Sequence, residues 1–184
     1  MHVHNPNFFV ISGGPGSGKT TTLGHLKALG FPATPEVARQ IIQEQVQFDG
    51  SALPWRDREA YTRVMLERSI ASYLAHSAQS GPLFADRGIP DTLGYARLIG
   101  LADDSFICDA CRLYRYAPLV FLAPPWPEIY TTDNERKQDF VEARHTFEIL
   151  ADAYRECGYQ VRELPKSTPA ARAEFILQQL QLVG

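Results

Sequence analysis

Gly13-Gly14-Pro15-Gly16-Ser17-Gly18-Lys19-Thr20 sets four glycines, one lysine and two hydroxyls within eight residues. This is the full G-x-x-x-x-G-K-[ST] pattern, a loop whose chemistry is the capture of phosphate. Glycines let the chain curl so that successive N–H groups converge on oxyanions without Cβ clashes. A helix starting near Gly18 adds the positive end of its dipole. Lys19 is expected to reach the β- and γ-phosphates, and the Thr20 hydroxyl to ligate Mg²⁺. Gly14, Pro15, Ser17 and Thr21 complete the expected cradle, and the ligand that fits it is MgATP.

Three carboxylate and guanidinium positions extend this chemistry. Asp86 closes the short apolar run Leu83-Phe84-Ala85. At the end of a strand beside the loop it would hold the magnesium, and otherwise it would cap the next helix. Arg87 reads either as a fork for anionic groups or as a salt-bridge partner of Asp91 or Glu36. Glu36 is expected either to take the proton of an attacking hydroxyl or to serve as a first-turn helix residue. Arg39, one turn further on, reads equally as a substrate contact or a solvated side chain. The charged run Thr131-Thr132-Asp133-Asn134-Glu135-Arg136-Lys137-Gln138 is the lid candidate, over about residues 130–140. Arg136 is placed ahead of Lys137, with Arg144 behind them, and the alternative is an exposed helix start.

The elements that must position these groups alternate. Phe8-Phe9-Val10-Ile11 reads as a buried strand ending at the glycine loop, followed by a helix from Gly18 to about Leu29 closed by Gly30. A short second strand is expected within Phe31-Pro32-Ala33-Thr34-Pro35, then a helix from Glu36 to about Gln47. A long helix from about Arg56 to His76 carries an apolar stripe of Leu66, Ile70, Tyr73 and Leu74. Leu83–Ala85 is the third strand, followed by helices over 90–99 and 103–114. Pro118–Ala123 is the fourth, stopped by Pro124-Pro125. A helix over 138–156 and the strand Tyr159–Leu164 follow. Thr168 caps a last helix with Pro169 at its first position. Strands alternating with helices imply parallel pairing with right-handed crossovers. The predicted fold is a three-layer α/β P-loop domain spanning 1–184, with a five-stranded parallel sheet in the order 2-3-1-4-5 and helices on both faces. Ligands in such sheets sit beyond the C-terminal strand ends, and each motif above follows a predicted strand.

The 184 residues suit one domain, and 45% hydrophobic with 21% charged residues is a globular balance. A net charge of −3 gives no footprint for nucleic acid. No apolar run reaches the roughly 18 residues of a membrane span, and the N-terminus lacks signal-peptide order, so a cytoplasmic protein is expected. His2 and His4 read as a frayed terminus. Cys108-x-x-Cys111 lacks the second ligand pair that structural zinc requires, so metal or redox chemistry is discounted there. The segment Pro124-Pro125-Trp126-Pro127 either walls a pocket or simply ends its strand. Oligomeric state is not readable.

With strand, phosphate loop, Glu36, Asp86-Arg87 and lid candidate in this order, nearly the whole chain resembles the P-loop domain of NadR-type ribosylnicotinamide kinases and related AAA-like ATPases. More loosely it resembles thymidylate and deoxynucleoside kinases. Thr34-Pro35-Glu36-Val37-Ala38-Arg39 looks like the acidic motif after the second strand, and Phe84-Ala85-Asp86-Arg87-Gly88 like the Asp-Arg motif after the third. The resemblance implies MgATP binding and, in some members, phosphoryl transfer to a nucleoside-like hydroxyl. No NadR-like adenylyltransferase domain accompanies the motifs. The expected activity is a kinase acting on a small-molecule acceptor, with an AAA-like ATPase or nucleotide-dependent switch as the alternative. The absence of an N-K-x-D or T-K-x-D motif counts against a GTPase, and the length leaves no room for the helical domain of AAA+ motors.

Overall fold

A computed structural model describes residues 3–129 and 140–182. The centre of the molecule is strand β2 (Phe8–Gly13), whose aromatic and β-branched side chains alternate between two cores. Phe8 and Val10 enter one cluster and Ile11 the other, as a period of two requires. β3 (Leu83–Asp86) and β5 (Leu119–Ala123) flank β2, and β6 (Gln160–Glu163) lies beyond β5. All three pairings are parallel.

Helices cover both faces of this sheet. α1 (Lys19–Ala28) and α7 (Pro169–Gln179) pack together, and Leu23, Leu26, Ile176 and Leu177 close the core over Ile11, Phe84 and Phe121. On the other face, α3 (Arg58–His76), α4 (Ile89–Leu98), α5 (Ser105–Leu113) and α6 (Phe140–Glu156) enclose Phe8, Val10, Leu83, Ala85 and Val120. α2 (Val37–Gln47) packs on α3 through Ile41, Tyr61 and Met65. The Thr168 hydroxyl accepts from Ala171 N at 3.2 Å and Pro169 opens α7, the predicted cap. Among the described residues no helix is long and apolar enough to cross a membrane.

The sheet differs from the expectation in one strand. It has four strands, in the order β3-β2-β5-β6, not five in the order 2-3-1-4-5. The predicted second strand is reduced to a single parallel bridge between Ala33 and Phe84 on the outer side of β3. Thr34 N donates to Phe84 O at 2.9 Å, and Phe84 N donates to Pro32 O at 3.0 Å. Pro32 and Pro35 have no N–H to give a ladder, so pairing stops after one register.

Two smaller corrections follow. His4 is not frayed: Val3–His4 (β1) pairs in parallel with Tyr114–Arg115 (β4), a two-stranded addition that the sequence reading lacked. On α3, Leu66 and Tyr73 are buried and Ile70 packs against them, but Leu74 is 47% exposed. One residue past Tyr73 the helix has turned 100°, which carries Leu74 off the core face.

Candidate functional site: a phosphate loop facing a carboxylate–guanidinium cluster

The four strands of the sheet end along one edge, and the chain leaving β2 makes the glycine loop there. Two glycines are required by geometry. Gly13 has φ +139°, and a Cβ on it would lie 2.5 Å from Ala123 O, so β5 can run this close only against glycine. Gly18, with φ +83°, is the left-handed residue that turns the chain into α1. Helix α1 has no side-chain cap and no acid in its first turn, so its leading amide donors have no built-in anion. The loop is braced from below. Ser17 Oγ donates to Gly14 O at 2.8 Å, and Arg172 Nη1 of α7 donates to Ser17 O at 2.6 Å.

Lys19 is 6% exposed. Its ammonium donates to Gly13 O at 2.9 Å and Gly14 O at 3.0 Å, two neutral acceptors. Burial, reinforced by the nearby Arg87 charge, lowers its pKa to about 8, against the weaker opposite pull of Glu36, Asp86 and Asp91. Among the described residues the ammonium donates to carbonyls, acceptors that a phosphate oxygen can replace.

Asp86 ends β3, where it pairs across to Ile11. It is 7% exposed, and Oδ1 is buried with no hydrogen-bond partner among the described residues. Burial raises its pKa, opposed by Lys19. A desolvated carboxylate oxygen without a donor, next to a phosphate loop, is the chemistry of a hard-cation ligand. The Thr20 hydroxyl belongs to an exposed residue on the cleft wall in the first turn of α1. The Asp86 carboxylate and the Thr20 hydroxyl are both oxygen donors of the kind a magnesium ion takes.

Arg87 follows in a left-handed backbone conformation, φ +72°, uncommon for a side-chain-bearing residue. Its guanidinium joins three groups. Nε donates to Glu36 Oε1 at 2.8 Å, and Nη1 to Gly13 O at 2.9 Å and to Asp91 Oδ1 at 3.2 Å. Both pairing partners weighed for Arg87 in the sequence are thus present together. Burial works against its charge, but Glu36 and Asp91 outweigh it and raise the pKa.

Glu36 is the N-cap residue of α2, in extended conformation, and makes no capping hydrogen bond with its side chain. The carboxylate turns to Arg87, with Arg39 Nε further off at 3.8 Å. Burial alone would raise its pKa, yet Arg87, Lys19 and Arg39 together bring it down to about 2.

Asp91 was legible only as a pairing partner, and the structure makes it the hub of the cluster. It is 5% exposed. Oδ1 accepts from Ser12 Oγ at 2.5 Å and from Arg87, and Oδ2 accepts from Gly88 N at 2.9 Å and from the Tyr154 hydroxyl at 2.5 Å. Ser12 Oγ in turn accepts from Gly13 N at 2.6 Å, linking the hub to the loop. No local pattern could have announced Ser12 or Tyr154, which act through partners 79 and 63 residues away.

Lys19, Thr20, Glu36, Arg87 and Asp91 line one cleft of about 1830 Å³, while Asp86 lines a separate small space together with Arg87 and Asp91. One wall is the loop with Lys19, Thr20 and Thr21. A second carries Glu36, Arg87, Asp91 and an apolar surface including Ile42, Trp55, Tyr61 and Tyr95. A third carries Trp126, Thr168, Pro169 and Arg172. Trp126, which the sequence left open, therefore walls the cleft, and the Arg172 guanidinium lies 5.4 Å from its ring centroid. Arg172 was missed altogether: it is 1% exposed, and its Nη2 is buried without a partner among the described residues. Arg39 lines the cleft half-exposed. Arg136 and Lys137 lie outside the described residues. Arg144 is exposed on α6 and takes no part in the cleft wall, to which that helix contributes Glu142, His145, Thr146 and Leu150.

Comparison with solved structures finds the same fold in P-loop kinases. NadR in complex with NR aligns at a TM-score of 0.70 and 22% identity, over 97% of this chain and 52% of that one, so this chain spans about half of NadR. Deoxyadenosine kinase from M. mycoides aligns at 0.62 and 14% identity, over 96% of this chain and 100% of the other. Shikimate kinase from Acinetobacter baumannii, in complex with shikimate, aligns at 0.58 and 16% identity, over 96% and 93%. No curated protein sequence matches. A family model described as AAA domain matches residues 8–172, from the first residue of β2 to the arginine that braces the loop, and the chain therefore belongs to that AAA domain family.

Proposed function

We propose that this protein is a MgATP-dependent kinase that transfers the γ-phosphoryl group to a hydroxyl of a nucleoside-like small molecule. The observation that carries this reading is the shared cleft. A phosphate loop and a separate carboxylate–guanidinium cluster face one space of about 1830 Å³, whereas a pocket for a single small ligand measures roughly 300–1,000 Å³. That is room for a nucleotide and an acceptor together.

The amides of Gly14, Gly16, Ser17, Gly18 and Thr21 cradle the phosphates, Gly13 and Pro15, which has no N–H to give, shape the loop, and Lys19 exchanges its two carbonyl partners for phosphate oxygens. Thr20 and Asp86 would hold magnesium, which when bound would neutralise charge on the phosphate oxygens. The wall of Trp126, Thr168 and Pro169 takes the base of the nucleotide. Glu36 is ionised throughout the physiological range, because its pKa is about 2. It accepts a hydrogen bond from the acceptor hydroxyl and aims its oxygen at the phosphorus. With so little basicity its contribution is mainly orientation, which suffices for a loose phosphoryl-transfer transition state. Arg87 fixes Glu36 relative to the loop through its bond to Gly13 O and orients the acceptor. The aromatic surface of Trp55, Tyr61 and Tyr95 supplies flat contacts for an acceptor ring.

The test is a screen of nucleosides and other small alcohols for ADP release, set against a control with no acceptor. Acceptor-dependent ADP with phosphorylated product supports the kinase. Turnover indifferent to every acceptor replaces it with an ATPase or switch.

A further inference from the structure

Away from the cleft, at the opposite edge of the sheet, two cysteines from different helices are brought together. Cys111 lies in the last turn of α5, just ahead of β4, and Cys157 directly follows α6, just ahead of β6. The Arg115 guanidinium clamps both backbones with one nitrogen: Nη1 donates to Cys157 O at 2.7 Å and to Cys111 O at 3.2 Å. Its plane stacks over the Tyr159 ring, 4.1 Å from the centroid, which holds the clamp in place. Cys111 is 2% exposed, Cys157 is half-buried, and both are free thiols in the same cluster. The third thiol, Cys108, packs against the same cluster, but its Sγ donates to Asp104 Oδ1 at 3.7 Å. The Cys108-x-x-Cys111 spacing thus points to the wrong pair, and the partner of Cys111 comes from another helix.

We propose that Cys111 and Cys157 form a redox modification site, closing an intrachain disulfide when the protein meets a peroxide. The roles of the two sulfurs differ. The Cys111 thiol donates toward Cys157, and although burial opposes it, this contact with Arg115 and Arg97 favours the Cys157 thiolate. The same contact, with burial, holds Cys111 protonated. Burial and Asp104 likewise keep Cys108 protonated. Cys157 is therefore the attacking sulfur. Its thiolate takes one oxygen of hydrogen peroxide, the O–O bond breaks, and hydroxide leaves, giving a sulfenic acid. Cys111 sulfur then attacks the sulfenic sulfur. The S–S bond forms, the S–O bond breaks, and the departing hydroxide takes the Cys111 proton to leave as water. Two thiol sulfurs are oxidised and one peroxide is reduced. A reducing compartment would reverse the bond, so the site is a transient sensor of oxidant rather than a structural staple.

The experiment treats the full-length protein with hydrogen peroxide, blocks remaining thiols with N-ethylmaleimide under denaturing conditions, and reads intact mass. The expected result is loss of two hydrogens and alkylation of one cysteine in place of three, with non-reducing peptide mapping linking Cys111 to Cys157. Cys108→Ser should leave this unchanged, while Cys157→Ser should abolish it. The peptide map of the unaltered protein decides the matter even if a variant folds poorly. Oxygen addition without a cross-link, or a link through Cys108, overturns the proposal.

Discussion

The two halves of the cleft are built by different means. The phosphate half is mainly backbone: a loop between β2 and α1 whose curvature is set by Gly13 and Gly18, with Lys19 supplied by the adjoining helix. The proposed acceptor half is made of side chains from several elements. Glu36 comes from the start of α2, Arg87 from the end of β3, Asp91 from α4, and Tyr154 from α6. The first needs one contiguous stretch, the second a whole folded domain. Phosphate binding should therefore fail through single local changes, whereas the acceptor half should degrade in steps.

The largest effect is expected from Lys19→Ala. It removes the ammonium that the loop itself supplies, whose hydrogen-bond partners are the neutral carbonyls of Gly13 and Gly14. Turnover should fall by ~10³-fold or more while circular dichroism and melting stay close to the parent. ATP affinity equal to that of the parent, by calorimetry, would break the phosphate half of the comparison. Glu36→Gln comes next, with turnover down ~10²-fold because the acceptor hydroxyl loses the carboxylate that aims it, and with ATP affinity retained. Arg87 keeps Asp91 and Gly13 O in that variant, so the loop should hold its shape. Loss of ATP binding there would show that the two halves are not separable.

This division also explains what the sequence disclosed. The loop was readable to the residue, because curvature and charge lie in one run. The four-stranded sheet was readable from its apolar runs, but Pro32 and Pro35 left the predicted second strand as one bridge, a difference of hydrogen-bond supply that hydrophobicity does not carry. Arg87 was readable as a charged group near Glu36 and Asp91, though not as the joint that holds both. Asp91 as a hub, Arg172 under the loop and Tyr154 behind the cluster were not readable, because each acts through partners distant in the chain.

A third effect, about tenfold, sharpens the comparison through pH. Lys19 in the free protein loses its proton near pH 8, whereas phosphate binding favours the charged form. ATP affinity should therefore fall about tenfold between pH 7 and 9, with proton uptake on binding. The stability of the free protein responds in the opposite sense. Between about 8 and the unfolded value near 10.5 the unfolded chain holds more protons, so the Lys19 contribution to stability rises with pH. Lys19→Met should flatten that contribution. The acceptor half should be silent here and in mild acid: with Glu36 at about 2, no activity should be lost through its protonation between pH 4 and 6.

The smallest effect is expected from Tyr154→Phe, which touches the acceptor half from behind. Its hydroxyl donates to Asp91 Oδ2 and accepts from Gly88 N, and Asp91 retains Ser12, Gly88 and Arg87 when it is gone. A hydrogen bond to a charged acceptor is worth about 1.5–3 kcal/mol, which in a domain of this size lowers the melting temperature by roughly 3–10 °C. Arg87 is still held by Glu36 and Gly13 O, so kcat should fall only ~3-fold to ~10-fold, with KM for ATP unchanged. Kinetics with saturating acceptor beside a thermal melt distinguish the outcomes. A drop in kcat matching that of Glu36→Gln would mean that the cluster acts as one indivisible unit, and the stepwise character assigned to the acceptor half would be lost.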